Sequence, residues 1–368
     1  MENLTNNSNV IDCPRAYTAD DTKAVVPVIL VCICFVGVVG NMGVIYVVYK
    51  FRQMNPLFLN LAVADLLFSL FALPIYSAFY ATKHTILIGD FTCKILYYLT
   101  YVTMGVSIYS LVAICLLRYF GIKYPIHIRT MLGRGTSYKA AGVTWLVMLL
   151  LNIPILILMT EQGGRTCALR SGEIYLYYIY VAVVSGVDFI VPAIIIAILS
   201  TFIIIHVLHI QKEQRHLSEF EKDGFHRASK RATKRLMLLV ILVFSLFIVC
   251  WAPMHVLFLR LVLNMGVADD RPCIWKQVTD YAFLIAQMLA FCNSSLNPIL
   301  YNFVSKKFRM TFSRALCPLY YKEKNEENTT DISRRMTISY RTDADIDASE
   351  SAYQLAPLRP LNSLIKKN

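Results

Sequence analysis

Charge is what this chain of 368 residues most lacks. Asp, Glu, Lys and Arg make up 16% of it, against about 25% in a soluble domain. Apolar residues fill 57% instead, and the mean hydropathy is +0.52. That balance excludes an ordinary soluble enzyme. No nucleophile–base pair or metal-ligand set falls on one face, so nothing supports catalysis. The first 24 residues hold no positive start followed by an apolar run. No cleavable signal peptide is expected, and the first apolar segment would serve as the insertion signal. The short alternating segments of an outer-membrane barrel are missing, as are the weak internal repeats of a transporter. A net charge of +12 would suggest nucleic acid in a soluble protein. Here the basic residues flank apolar runs, so they report membrane orientation, and no nucleic-acid partner is expected.

Seven apolar segments are present, roughly at 25–49, 56–80, 94–120, 140–160, 175–209, 236–263 and 278–303. Each is long enough to cross a hydrocarbon core of about 30 Å at 1.5 Å per residue. In lipid each backbone polar group must be satisfied within its own segment, which makes the spans helices. The expected fold is an all-α membrane protein, a bundle of seven transmembrane helices. The loops after the first, third and fifth spans carry fourteen Lys and Arg, and the opposite loops carry five. The positive-inside rule then puts the N-terminus outside and the C-terminus in the cytoplasm, as in a multi-pass plasma-membrane protein. The sequons at Asn3 and Asn6 fall in the outside tail and are candidate glycosylation sites. The division expected is a glycosylated tail over 1–24, a transmembrane domain over 25–303, a membrane-surface helix over 304–317 and a disordered cytoplasmic tail over 318–368.

Charge at membrane depth is costly and usually functional. Asp65 lies roughly 14 Å into the second span. One reading is a packing carboxylate bonded to neighbouring hydroxyls and amides. The other is a site for a hard cation such as sodium, to which Ser107, Asn293, Ser294 and Asn297 would add oxygen ligands. No other cofactor is expected. Asp188, in the outer half of the fifth span, could meet a ligand or pair with His255 or a tyrosine. Pro74, Pro154, Pro192, Pro253 and Pro298 interrupt five spans. Each removes a backbone donor, and the freed groups need polar partners such as Asn297. Of the ten cysteines, Cys93 and Cys167 both face the oxidising side, where a disulfide is expected. Cys13 and Cys273 could form a second. Cys317 follows an amphipathic stretch and is a palmitoylation candidate.

Taken in order, several motifs resemble the rhodopsin-like family of G-protein-coupled receptors. Gly40-Asn41 lies in the first span and Leu61-Ala62-Val63-Ala64-Asp65 in the second. Arg118-Tyr119 ends the third, 25 residues after Cys93. Trp145 and Pro192 stand in the fourth and fifth. Cys250-Trp251-Ala252-Pro253 lies in the sixth, and Asn297-Pro298-Ile299-Leu300-Tyr301 closes the seventh. The stretch Phe303 to Phe312 places Phe303, Phe308 and Phe312 near one helical face beside basic residues. It is similar to the family's short eighth helix. The resemblance implies that Pro253, Pro298 and Tyr301 belong to the conformational switch, and that Arg118 and Tyr119 meet a heterotrimeric G protein. Two departures stand out. Leu117 occupies the place of the acid that usually precedes the arginine, and Ser200 that of a tyrosine eight residues after Pro192. Thr233 supplies no acid to Arg118 either.

The resemblance also narrows the ligand. Thr100 stands where amine receptors carry an aspartate, and Phe291 where opsins carry the retinal lysine. The mouth is rich in tyrosine and acid, including Tyr80, Tyr97, Asp90, Glu161, Asp269 and Asp280. Tyrosine offers rigid amphipathic contact, and acids attract a cationic or amidated peptide. Read on the family pattern, the pocket is lined by Thr100, Tyr101, Met104, Asp188, Trp251, His255, Phe258, Phe283 and Gln287. The runs Tyr98 to Met104, Lys123-Tyr124-Pro125-Ile126-His127, Pro253-Met254-His255 and Val304 to Arg309 are similar to the galanin and allatostatin-A receptor branch. The expectation is a peptide receptor that couples to G protein. The cytoplasmic tail, with Thr329, Thr330, Ser333 and Thr337 among its hydroxyls, would suit receptor kinases and arrestin. Leu117 and Ser200 motivate a rival, a receptor that sequesters peptide without activating G protein.

Overall fold

The computed structural model describes residues 20–50, 55–83, 86, 88–124, 134–162, 166–217, 224–264 and 272–304. Asn3, Asn6, Cys13, Cys317, the expected surface helix and the hydroxyls of the tail lie outside them.

Seven helices among the described residues are long and apolar enough to cross a membrane. They are α1 (Asp20–Lys50), α2 (Pro56–Ala81) and α3 (Asp90–Lys123). Next come α4 (Arg134–Leu151, resumed over Pro154–Leu158) and α5 (174–217). The last two are α6 (Gly224–Leu263) and α7 (Cys273–Val304). Most run a turn or more past the apolar segment itself, because hydropathy marks the lipid-bound stretch while hydrogen bonding continues into the interface. The helix starts are chemically marked. Asn55 caps α2 by accepting from the Leu57 N–H at 2.9 Å, with Pro56 in the first turn. Gly89 precedes α3 at φ 78°, a left-handed conformation that favours glycine.

The bundle closes as a ring. α1 packs on α2 and α7, α7 on α6, and α6 on α5, while α3 runs through the middle against α2, α4 and α5. Burial follows position: 72% of the α3 window is buried, against 28% for α1, α4 and α6. The lipid-facing sides of those outer helices expose large apolar residues such as Phe35, Leu146 and Val256.

Between α4 and α5 lies an antiparallel hairpin, β1 (Met159–Gln162) and β2 (Thr166–Leu169), pairing Glu161 with Cys167. A disulfide joins Cys167 to Cys93 at the head of α3, with Cα atoms 5.6 Å apart. Asp90 holds the same hairpin through the Thr160 hydroxyl at 2.8 Å and the Glu161 N–H at 3.1 Å, and it ion-pairs with Lys94. Asp90, one of the acids expected at the mouth, is thus bonded to the hairpin and to Lys94. Cys273 is disulfide-bonded as well, and the Cys13 expected opposite it lies outside the described residues.

The prolines act in two ways. Pro74 and Pro192 each follow a five-residue π-helical turn, Phe68–Ala72 and Gly186–Ile190. A wider turn accommodates the ring that would otherwise strike the carbonyl four residues back. Pro298 lies inside continuous α7, and the carbonyl it deprives of a donor is that of Ser294. Asn41 of α1 supplies the replacement, donating Nδ2 to Ser294 O at 2.9 Å and to Gly37 O at 2.9 Å. Asn297, named as an example of such a polar partner, donates its amide to Asp65 instead.

Candidate functional site

A cavity opens between the helices at the end of the bundle that carries the hairpin. Thr100, Tyr101 and Met104 enter from α3, Asp188 from α5, Trp251, His255 and Phe258 from α6, and Gln287 from α7. All were legible in the sequence. Phe283 is not on the wall; it packs behind Phe258, ring centroids 6.3 Å apart. Sequence reasoning passed over Tyr76, Ile108, Val184 and Ala290, which also line the cavity, as does Met254, quoted there only within a motif. Tyr97 and Phe291, noted as mouth tyrosine and as a lysine replacement, line it too.

The polar groups differ in how far they are engaged. Thr100 Oγ1 donates to Leu96 O at 2.7 Å, so its hydroxyl proton is committed to its own helix. The Tyr80 hydroxyl donates to Gln287 Oε1 at 2.7 Å. His255 is sandwiched among rings: it stacks on Phe189 at 4.9 Å and lies 5.9 Å from Trp251. Its Nδ1 stands 3.2 Å from Ser185 Oγ. Asp188 Oδ1, Trp251 Nε1 and His255 Nε2 are buried with no hydrogen-bond partner among the described residues. The pairing of Asp188 with His255 or a tyrosine, left open by the sequence, does not form.

Below the cavity floor lies the polar cluster around Asp65, 1% exposed. Asn297 Nδ2 donates to Asp65 Oδ2 at 2.9 Å, and the Ser107 and Ser294 hydroxyls lie beside the carboxyl. Asp65 Oδ1, Ser107 Oγ and Asn293 Oδ1 make no bond that meets hydrogen-bond geometry with any described residue. Buried unpartnered oxygens of this kind, a carboxylate with a hydroxyl beside it among them, are the ligands a hard cation takes. A second network ties the central helices. Trp145 Nε1 donates to Asn60 Oδ1 at 2.8 Å, and Asn60 Nδ2 donates to Ser110 Oγ at 2.8 Å.

At the end of the bundle away from the hairpin, Leu117 packs beside an apolar cluster of Val44, Leu57, Leu61 and Leu111. The neighbouring Arg118 guanidinium lies 6.0 Å from the Phe58 ring centroid, within cation–π range. Tyr119 accepts from Lys123 Nζ at 2.9 Å. That bond holds the Lys123 ammonium above its ordinary pKa, with the Tyr124 hydroxyl adding to the effect. Ser200 is buried with its hydroxyl unpartnered among the described residues. Pro253 and Pro298 lie inside α6 and α7, and Tyr301 falls in the last turn of α7.

Residues 40–301 match the family model for the 7 transmembrane receptor (rhodopsin family). The chain belongs to the rhodopsin family of seven-transmembrane receptors. It is 28% identical to galanin receptor 2b of Danio rerio over 329 residues, 87% of this chain and 82% of that one. It is 30% identical to somatostatin receptor type 2 of Mus musculus over 325 residues, 84% and 82% of the two chains. Against the allatostatin-A receptor of Bombyx mori it is 29% identical over 311 residues, 81% of each. This rhodopsin-family receptor is therefore similar along most of its length to peptide receptors, and nothing in that company is an enzyme.

Proposed function

We propose that this receptor sits in the plasma membrane, binds an extracellular peptide of the galanin and allatostatin-A kind, and signals through a heterotrimeric G protein. The observation that carries the reading is the similarity to peptide receptors over more than four fifths of the chain, joined to an aromatic-walled cavity. Agonist above Trp251 favours a state in which α6, hinged at Pro253, swings out at its inner end and leaves Arg118 to the G protein. A ligand moves that equilibrium only by its differential affinity for the two states. Sodium held by Asp65, Ser107, Asn293 and Asn297 would bias it toward rest. We place the N-terminal tail outside, glycosylated at Asn3 and Asn6 and tied through Cys13 to Cys273. Inside, residues 304–317 lie on the membrane lipid as a surface helix ending in palmitoylated Cys317. The tail beyond, residues 318–368, takes phosphate from receptor kinases and then binds arrestin.

The second reading is a receptor that sequesters peptide without activating G protein. It is favoured by Leu117, which packs into apolar surroundings where an acid would face Arg118. Guanine-nucleotide exchange in membranes from cells making the chain separates the two, using a library with galanin-like and allatostatin-like peptides. Exchange above mock-transfected membranes that rises with a peptide supports coupling. Binding and internalisation of labelled peptide with no exchange across the main G-protein classes supports sequestration. If nothing binds, the ligand class is wrong.

A further inference from the structure

Asp188 is the only formally charged residue among the described residues that line the cavity. It comes from α5, while the α3 position that would hold an acid in amine receptors is Thr100. The carboxyl is 4% exposed, and its Oδ1 has no described partner. The hydroxyls around it are committed elsewhere. Tyr109 donates to Val187 O at 2.8 Å, Tyr180 donates to Asn152 Oδ1 at 2.7 Å, and Ser185 is engaged with His255 Nδ1. An uncompensated buried carboxylate is costly, and either a proton or a cation relieves it.

The backbone is arranged to present this group. Asp188 is the middle residue of the π-helical turn Gly186–Ile190, and Pro192, four residues on, cannot donate to its carbonyl. Such turns recur where a side chain is re-aimed at a site. Across the gap stands Gly105 of α3. A Cβ there would collide with Met148, while its 3.6 Å approach to Asp188 Oδ1 would be an ordinary contact, so the α3 backbone passes directly beside the carboxyl. The rings of His255 and Trp251 form the adjoining wall, and aromatic faces favour cations.

We propose that the deep end of the cavity is a cation subsite, in which Asp188 takes a guanidinium or ammonium group of the ligand against the rings of His255 and Trp251. The inference rests on the cavity being the ligand pocket, and for a peptide it specifies a basic side chain or a free amine at the inserted end. It does not depend on the peptide being galanin-like.

The test is thermal unfolding of the purified full-length receptor in lipid nanodiscs, titrated with phenethylguanidine and with its uncharged isostere phenethylurea. The wild type should gain Tm with the guanidine and not with the urea. Asp188→Asn should raise the midpoint concentration at least about thirtyfold, the minimum for losing one partner of a buried charge pair, while Asp188→Glu should keep part of the response. Ala290→Phe, which fills the same cavity from α7 and leaves the carboxylate intact, should abolish it. Equal responses to the two compounds, no response in wild type, or a guanidine response that survives Asp188→Asn would overturn the subsite. The wild-type comparison stands even where a variant does not fold. Because neither probe is a peptide, failure of the peptide library with success here would sink the peptide reading and keep the subsite.

Discussion

Asn41 shows how one side chain can complete a helix to which it does not belong. Proline at 298 strips the Ser294 carbonyl of its helical donor, and the Asn41 amide, from a helix more than 250 residues away in sequence, restores the bond. Asn41→Ala should therefore cost more than a surface amide would, because a buried acceptor is left unpaired. The expectation is a loss of about 1–3 kcal/mol, read as a lower Tm of the purified receptor. Asn41→Asp should not rescue it, since a carboxylate has no proton to donate to a carbonyl. Leu117 is the opposite case, a residue defined by the acid it replaces. Its packing with the inner apolar cluster leaves Arg118 near the Phe58 ring. Leu117→Asp places a carboxylate next to the guanidinium and should stabilise the resting state. Basal nucleotide exchange in membranes should fall; unchanged or higher exchange would show that Arg118 is already restrained by other contacts.

At the scale of elements, close approach decides what the sequence can tolerate. A Cβ on Gly40 would stand 2.9 Å from both Cβ and Cγ of Pro298. A proline ring is stiff, so the helices must separate. Gly40→Ala should cost about 1–3 kcal/mol by overpacking and should perturb α1 and α7 together, visible as faster amide exchange along their shared face. The hairpin carries a subtler prediction. Asp90 is exposed, and its bonds to Thr160 and Glu161 secure a loop already tied by a disulfide. Asp90→Asn should leave the unfolding midpoint nearly unchanged while raising deuterium uptake at the Glu161 amide.

The seven spans were legible because about twenty apolar residues in a row have few other fates. Most of the cavity wall was legible for a different reason, since Trp251, His255 and Asp188 occupy positions that a family pattern marks. The hairpin was not, because Thr160-Glu161-Gln162 is polar and short, with no alternation that names a strand. Nor were the π turns. Pro74 and Pro192 predict a disturbance, but a kink and a widened turn satisfy the same steric demand. Tyr76 was missed because its face on α2 depends on the π turn just before it, Phe68–Ala72. An extra residue in a turn moves every following side chain around the axis, which periodicity counted from the start of the span does not see.

For the molecule as a whole, the question is how an outer cavity and an inner arginine share one equilibrium. The Asp65 cluster stands between them, with Asn297 of α7 bonded to Asp65 of α2 and Ser107 of α3 beside it. Three helices thus meet at one carboxylate, and Ser294 brings α7 in a second time. A cation there would join α2, α3 and α7 through oxygen ligands, and any motion of α7 that draws Asn293 away would weaken its site. Binding and resting geometry are then linked, and the linkage is reciprocal. Replacing sodium by N-methylglucamine at constant ionic strength should lower the Tm of agonist-free receptor and raise basal exchange. Asp65→Asn should make both readouts indifferent to sodium. If sodium raises Tm equally in Asp65→Asn, it acts elsewhere, and the cluster is a packing network in which Asn297 and the serines alone serve the carboxyl. The same experiment with Asn41→Ala separates the two roles of α7, because that variant loosens the helix at Ser294 without removing an oxygen from the cation site. It should lower stability in both salts while keeping the difference between them.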